Sequence, residues 1–256
     1  MSTFKRKYLP PLAMLLAILL VWELLVRLGV LSAYLFPSPT MIVAAIPAAL
    51  PRIGQCLPYT LCISAVGYVL SLAIALAAAL LMDVYPPFAH ALRPLLVLIQ
   101  SVPIITLAPL FVLWLGFGMA PKILTIILVC SFPMIMGLDE GLRSTDPARL
   151  ALMRTMRAGP LQTFLHLKLP SSLPALFSGL KIAGTYCIMG AVIGEWLGGD
   201  GGIGTLMIQY KNSYAYSKMF VIVILICLLS MGVYLLMSLL QYVVTHRWKM
   251  DKSTKM

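Results

Sequence analysis

The sequence predicts an all-α polytopic membrane protein with six transmembrane helices. Of its 256 residues, 61% are hydrophobic and only 11% are charged, whereas an average soluble domain carries about 25% charged residues. The mean hydropathy is +0.98, and several apolar stretches reach the roughly 20 residues that a helix needs to cross a bilayer. We therefore expect a single membrane domain over residues 1–256 rather than a soluble enzyme.

Six sustained apolar stretches define the expected helices. They are Leu9–Gly29, Leu57–Met82, Pro94–Leu115, Pro121–Leu138, Leu173–Leu197 and Met219–Val244. A cleaved signal peptide ending near Leu31-Ser32-Ala33 is the alternative for the first stretch. That stretch is long for a signal peptide, and Glu23 and Arg27 are spaced for an intrahelical ion pair, which favours a retained helix.

The basic residues predict the orientation of the chain. If the Lys5-Arg6-Lys7 end is cytoplasmic, 13 of the 19 Lys and Arg residues fall in cytoplasmic segments and four, including Lys122, fall outside. The positive-inside rule therefore places both termini in the cytoplasm. The net charge of +11 follows this topology, so we expect contact with membrane lipid and no nucleic-acid partner.

The segment over residues 139–172, between the fourth and fifth spans, is expected to have structure of its own because it is long and polar. Asp146 followed by Pro147 is typical of a helix start, since Asp caps free amides and Pro fits the first turn. Residues 148–157 are then expected to be helical. The positive-inside rule places this segment in the cytoplasm.

A turn and a second helix are expected to complete the 139–172 segment. Gly159 before Pro160 predicts a left-handed residue that ends the first helix. A second short helix is expected over 161–168 and should end at Leu169-Pro170. The side chains expected to be buried are Leu150, Met153, Leu161, Phe164 and Leu165, and those expected to face water are Arg149, Arg154 and Arg157. Such a helix-turn-helix suits docking to a protein; lying on anionic lipid is the alternative.

Several motifs resemble those of ABC importer permeases of the nitrate, sulfonate, taurine and thiamine-precursor branch. They occur in order along nearly the whole chain: Phe36-Pro37-Ser38-Pro39, Ser101-Val102-Pro103-Ile104, Ala108-Pro109-Leu110, Gly116-Phe117-Gly118, Gly141 to Pro147, Ala151 to Pro160, Leu169-Pro170, Leu173-Pro174 and Gly190 to Gly198. Arg157 stands where that family has a Gly, and Ala151, Leu152 and Met153 replace its usual acidic start.

The resemblance implies a type I ABC importer permease fold, a permease homodimer, two copies of an ABC ATPase subunit and an extracytoplasmic substrate-binding protein. ATP and magnesium would then belong to the ATPase, with no cofactor in this chain, and the location would be a bacterial inner membrane. The residues it assigns to ATPase coupling are Asp146, Pro147, Arg154, Arg157, Ala158, Gly159, Leu169 and Pro170.

The stretch Gly194-Glu195-Trp196-Leu197-Gly198 is most similar to permeases for thiamine-precursor pyrimidines of the hydroxymethylpyrimidine type. Sulfonate, taurine or nitrate import by the same machinery is the alternative substrate class. An ATP-independent channel or secondary carrier is the alternative from another functional class, and a membrane-embedded enzyme is a third.

The fifth span carries the residues expected to face the substrate. Gly179, Gly190, Gly194 and Gly198 lie at spacings that let another helix approach closely. Tyr186, Glu195 and Trp196 are expected to stand beside this face, where a planar ligand could stack and form hydrogen bonds. The same glycines also suit a purely structural packing face.

No motif indicates catalysis or nucleotide binding by this chain. The pattern from Gly199 to Gly204 fits GxGxxG but follows an apolar helix instead of a strand, so we interpret it as an external turn. A Gly-Lys pair, as in a Walker motif, does not occur in the sequence. The five cysteines lack metal-ligand spacing and are interpreted as small buried apolar residues, with no metal site.

Overall fold

The structure is a computed structural model that describes the backbone of residues 2–199 and 201–253, and the side-chain surroundings of residues 9–197 and 201–245. Over these ranges the chain forms only helices and turns. The elements are α1 Ser2–Arg27, α2 Pro39–Val84, α3 Pro86–Ser101, α4 Ile104–Leu115, α5 Met119–Arg143, α6 Pro147–Thr155, α7 Pro160–Thr163, a π turn Phe164–Lys168, α8 Leu169–Gly198, α9 Ile203–Asn212 and α10 Tyr216–Ser253. The predicted all-helical membrane class is confirmed.

Five of the described helices are long and apolar enough to cross a membrane, and α3 with α4 would make a sixth. The apolar stretch Pro94–Leu115, expected from the sequence as the third span, falls on two helices that are bent by 97° relative to each other. Val102 adopts an extended backbone with ψ of 124°, which is what the ring of Pro103 imposes on the residue before it. The third span is therefore broken at this proline.

Helix α2 begins at Pro39, 18 residues before the predicted start at Leu57. Ser38 caps it by accepting a hydrogen bond from the Met41 amide, and Pro39 occupies the first turn. The helix continues through three internal prolines, Pro47, Pro51 and Pro58. Its 46 residues would span about 69 Å at 1.5 Å per residue, so only part of α2 fits within a hydrocarbon layer of about 30 Å.

The core lies where α2, α5 and α8 pack together. Its fully buried members include Ile63 on α2, Ile126 and Met134 on α5, and Ala183 on α8. We call the end of the bundle where α2 and α5 finish and α8 begins the basal end, and the opposite end the distal end. Two of the five cysteines, Cys62 and Cys227, are exposed on this chain, so their expected burial is wrong.

A second apolar cluster lies at the distal end and includes α9, a helix that the sequence did not predict. Ile203 and Leu206 of α9 are buried against Ile42 and Ile53 of α2 and Ile222 of α10. The first half of α2 therefore packs against α9 and α10 in this cluster, which stabilises it as a helix although it lies far from the main core.

Helix α1 is tied to the start of α2 by polar contacts. Arg27 Nε donates to Glu23 Oε1 at 2.7 Å, which confirms the predicted intrahelical pair. Thr40 also donates to the Glu23 carboxylate, from its amide at 3.1 Å and from its hydroxyl at 2.8 Å. The predicted pair therefore also joins two helices.

Candidate functional site

The first helix of the 139–172 segment starts where the sequence predicts. Asp146 Oδ1 accepts a hydrogen bond of 2.9 Å from the Ala148 amide, and Pro147 is the first residue of α6. Just before it, the buried Thr145 hydroxyl donates to the Leu142 carbonyl at 2.9 Å. The predicted cap is confirmed, and it fixes where α6 leaves the bundle.

The turn after α6 is built on Arg157, and the prediction of a left-handed Gly159 is wrong. Helix α6 ends at Thr155, two residues earlier than expected, so Arg157 takes the left-handed position with φ of +54°. The Arg157 amide donates to the Arg154 carbonyl and the Ala158 amide to the Met153 carbonyl, as in a Schellman cap. Gly159 is extended, with φ of −67° and ψ of 163°.

The second half of the segment does not end at Leu169-Pro170, which is a further correction. The π turn and α8 continue directly from α7, so residues 160–197 form one helix. Pro170 lies in the first turn of α8, where the missing amide is tolerated. The widened turn lets the Leu169 amide bond to the Phe164 carbonyl. Consequently a displacement of this segment acts directly on the fifth span.

Apolar side chains point away from the bundle along the 139–172 segment. Met156 and Leu161 are 70% and 68% exposed, and Leu152 and Leu165 are also exposed. Leu161 and Leu165, which the sequence analysis assigns to the face for burial, are therefore not covered by this chain. Arg149, Arg154 and Arg157 are exposed beside these side chains. An apolar surface bordered by arginines is typical of a protein interface.

Both ends of the 139–172 segment are held by ion pairs that the sequence analysis missed. Lys168 Nζ donates to the two carboxylate oxygens of Asp83 at 2.7 and 2.9 Å. Arg93 donates from two nitrogens to the two oxygens of Asp139, both at 2.9 Å. In the sequence, Asp83, Arg93, Asp139 and Lys168 all lie close to the ends of apolar stretches, which indicates that ion pairs can form there. The sequence does not indicate which of these residues pair.

A groove of about 320 Å³ opens between α3, α5 and α8. Its polar lining comes from Gln100 on α3, Glu140 on α5 and Ser178 on α8, and its aromatic lining from Phe132 and Tyr186. Tyr186 is 38% exposed, so its ring is accessible from the groove. Rings and a few polar groups in one concave site are suited to a small planar ligand.

The structure does not bring Tyr186, Glu195 and Trp196 together. Tyr186 and Glu195 are nine residues apart on α8, which at about 3.6 residues per turn places them on opposite faces. Glu195 is fully buried, whereas Tyr186 lines the groove. Trp196 packs against the distal apolar cluster. Only Tyr186 of these three residues is placed to meet a ligand in the groove.

Glu195 instead organises the distal end. Its carboxylate accepts hydrogen bonds of 2.7 Å from the Thr60 hydroxyl and from the Gly204 amide. Thr60 in turn accepts from the Ile203 amide at 2.9 Å. A side chain on Gly202 would occupy the position of the Glu195 carboxylate. The glycine-rich turn that resembles a nucleotide-binding pattern is therefore shaped around a buried carboxylate.

Lys122 is a buried residue whose position the sequence analysis misjudged. The sequence predicts Lys122 among the external basic residues, whereas its side chain is fully buried at the start of α5. Its Nζ donates to the Tyr59 hydroxyl at 3.0 Å and lies 4.8 Å from the centroid of the Tyr59 ring. A group of three or more residues able to hold a metal ion does not occur among the described residues.

The glycines of α8 lie where α5 approaches most closely. A methyl group on Gly179 would overlap the Pro133 carbonyl oxygen, and one on Gly194 would lie 2.9 Å from Lys122 Cα. Gly190 is less crowded, since its nearest contact would be 3.5 Å away, at Ile126 Cα. The surroundings of Gly198 lie outside the described residues. Close approach of α5 to α8 forms the floor of the groove.

Comparison with known proteins gives the family. The family described as "Binding-protein-dependent transport system inner membrane component" matches residues 67–250. A probable ABC transporter permease protein of Haemophilus influenzae is 35% identical over 230 residues, covering 90% of this chain and 94% of that protein. The formylaminopyrimidine transport permease protein ThiX of Halalkalibacterium halodurans is 35% identical over 228 residues, covering 86% of this chain and 91% of ThiX.

Solved structures of ABC transporters have the same fold. A chain of the MetNI methionine ABC transporter in inward-facing conformations aligns with a TM-score of 0.68 at 19% identity, over 77% of this chain and 97% of that one. A chain of an amino acid ABC transporter with histidines aligns with a TM-score of 0.61 at 15% identity, over 80% and 97%. This protein belongs to the family of binding-protein-dependent transport system inner-membrane components and is a permease of an ABC importer.

Proposed function

We propose that this permease imports a thiamine-precursor pyrimidine of the hydroxymethylpyrimidine or formylaminopyrimidine type. The observation that carries the proposal is the groove of α3, α5 and α8, where Phe132 and Tyr186 offer rings and Gln100 and Glu140 offer polar groups. The similarity to ThiX over most of both chains supports it. An aminopyrimidine can stack on the rings of Phe132 and Tyr186, and its exocyclic amine can donate a hydrogen bond to the carboxylate of Glu140.

Sulfonate or taurine import is the second candidate, since putative sulfonate permeases from Bacillus subtilis and Escherichia coli are each 26% identical to parts of this chain. A carboxylate in the groove disfavours a sulfonate, because two anions repel each other. Glu140 is the residue that separates these two substrate classes.

The exposed surface of the 139–172 segment is the proposed docking site for an ABC ATPase subunit. Burial of Met156, Leu161, Leu152 and Leu165 in a cleft of the partner would remove apolar area from water. The whole coupling set, Asp146, Pro147, Arg154, Arg157, Ala158, Gly159, Leu169 and Pro170, lies within or at the ends of this surface. The ATPase, and not this chain, would hold ATP and magnesium.

The orientation and assembly belong to the same proposal. The basal end carries the docking surface and most of the basic residues, so it is placed in the cytoplasm together with both termini of a bacterial inner-membrane protein. One permease domain over residues 1–256 pairs with a second copy and receives substrate from an extracytoplasmic binding protein at the distal end. The exposed stripe Ser178, Ile182, Tyr186 and Met189 on α8 supports a homodimer that encloses the groove.

Purification from native membranes, followed by reconstitution with the ATPase that comes with the chain, tests the proposal. Formylaminopyrimidine, hydroxymethylpyrimidine, taurine, an aliphatic sulfonate and nitrate are each offered with the cognate binding protein. ATP-dependent uptake of a pyrimidine supports the proposal, and uptake of an anion alone overturns the substrate assignment. Uptake that persists after ATP is removed would indicate a channel or secondary carrier.

A further inference from the structure

Both ends of the 139–172 segment are bound to one corner of the bundle. Asp83 is the last residue but one of α2, and Arg93 is the eighth residue of α3, so the two flank the α2–α3 corner. Asp139 is the first residue of the segment and lies on α5, and Lys168 ends the π turn that leads into α8. The pairs Asp83–Lys168 and Arg93–Asp139 therefore connect the corner to the exit and to the entry of the segment.

The four charged residues pair between the corner and the segment and not within either of them. Asp83 and Arg93 carry opposite charges on the corner, and Asp139 and Lys168 carry opposite charges in the segment. However, Asp83 of the corner pairs with Lys168 of the segment, and Asp139 of the segment pairs with Arg93 of the corner. In each pair, both carboxylate oxygens accept a hydrogen bond. The four side chains are between 6% and 26% exposed, so each pair is partly removed from water and loss of one partner leaves an unpaired charge.

Helix α3 depends strongly on this attachment because few of its apolar side chains are buried. Only Ala89 and Leu96 are buried along Pro86–Ser101. Gln100 lies seven residues beyond Arg93, which is close to two turns, so both side chains lie on the same face of α3. Gln100 lines the groove. A displacement of Arg93 would thus be carried along one continuous helix to the groove wall.

We propose that Asp83, Arg93, Asp139 and Lys168 form a clamp that transmits movement of the docked 139–172 segment to α3 and hence to the groove. The proposal rests on the proposed function, because it assumes that an ATPase docks on this segment. The four residues are positioning residues: they touch neither ATP nor substrate. Their role is to move α3 together with α5 and α8 when the segment moves.

The test follows the groove wall directly and needs no knowledge of the substrate. Gln100→Cys is introduced into a chain whose five cysteines are replaced by serine, and the permease is purified with its ATPase. The rate at which a small charged methanethiosulfonate reagent modifies Cys at this position is measured without nucleotide and after trapping with ATP and vanadate. In the clamp-intact protein, trapping should change this rate by about fivefold or more, as expected for a coupled two-state change.

Lys168→Met and Asp83→Asn should each reduce the change on trapping to less than about twofold, while ATPase association and ATP hydrolysis persist. The reversed pair Asp83→Lys with Lys168→Asp should restore most of the change, because it recreates the attraction with opposite polarity. Arg27→Met is the matched control: it removes one cation from an ion pair at the distal end, where Arg27 is 67% exposed, and should leave the response unchanged.

The clamp is overturned if Lys168→Met responds to trapping like the clamp-intact protein. It is equally overturned if the reversed pair assembles with the ATPase but does not recover the response, or if the clamp-intact protein hydrolyses ATP with no change at the position of Gln100. Failure of the proposed function appears earlier and separately, as the absence of an ATPase from the preparation of the clamp-intact protein.

Discussion

The carboxylate of Glu195 accepts a 2.7 Å hydrogen bond from the hydroxyl of Thr60, a residue 135 positions earlier in the chain. The same carboxylate accepts from the Gly204 amide. This contact joins α2, α8 and the start of α9 at the distal end. The sequence predicts Glu195 as a substrate-path residue. In the structure its carboxylate holds helices together, so we expect its substitution to lower the stability of the fold.

Glu195→Ala should therefore destabilise the protein. It leaves the Gly204 amide and the Thr60 hydroxyl without their acceptor in a buried site, at a cost of about 1–3 kcal/mol for each unsatisfied group. The measurement is the midpoint of thermal unfolding in detergent, with Glu195→Gln as the milder comparison because its amide oxygen still accepts one bond. An unchanged midpoint with impaired uptake would instead return Glu195 to the substrate path.

Arg157→Gly should stabilise the turn after α6. A left-handed conformation costs a residue with a side chain roughly 1–2 kcal/mol, part of which is offset by the greater freedom of Gly in the unfolded chain. Hydrogen exchange of the Ala158 amide should slow by about threefold, as expected for a net gain near 0.7 kcal/mol. Gly159→Ala is the control and should be tolerated, because Gly159 is extended and has open space around it.

Truncation of the exposed docking surface should weaken ATPase association without affecting insertion. The double variant Met156→Ala with Leu161→Ala removes two side chains that are 70% and 68% exposed. We expect both side chains to be buried in the interface with the ATPase, so the affinity for the ATPase should fall about tenfold or more. Met231→Ala with Leu228→Ala is the control, since these residues are similarly exposed on α10. Equal ATPase recovery from both double variants would remove this surface from the interface.

Glu140→Gln and Tyr186→Ala should lower pyrimidine uptake at limiting substrate while ATPase recovery stays normal. Loss of a charge-assisted hydrogen bond from an exocyclic amine corresponds to about tenfold. Trp196→Ala serves as the comparison, because Trp196 packs in the distal cluster and should alter thermal stability instead. If Trp196→Ala impairs uptake in a stable protein and Tyr186→Ala does not, the groove is not the substrate site.

Gly179→Ala should impair folding, whereas Gly232→Ala should not. Added methyl groups would meet the Pro133 carbonyl oxygen at Gly179 but open space at Gly232. Both glycines lie inside membrane-spanning helices, so the intrinsic gain of about 0.8–1 kcal/mol from Gly to Ala applies to each and only the steric term differs. The yield of monodisperse protein after detergent extraction measures the effect. Equal yields would show that α5 can move away from α8 without penalty.

The sequence predicted the class of the protein, the bulk of its spans and the start of α6, because these depend on composition, apolar run length and local capping. It did not determine which prolines break a helix. Pro103 breaks the third span, whereas Pro47, Pro51 and Pro58 remain inside α2. In the first half of α2, Ile42 and Ile53 are buried against α9 and α10, a contact between distant residues that the sequence does not show.

The sequence by itself determined that the chain crosses a membrane several times, that a polar helical segment lies between the fourth and fifth spans, and which residues resemble those of importer permeases. These are local properties of composition, spacing and motif. Only the tertiary structure decided which charges pair, that Lys122 and Glu195 are buried, that Arg157 forms the turn, and that Tyr186 faces a groove on the side of α8 opposite Glu195. The physical reason is that each of these depends on contacts between residues far apart in the chain, where one helix supplies the partner, or the open space, that another requires.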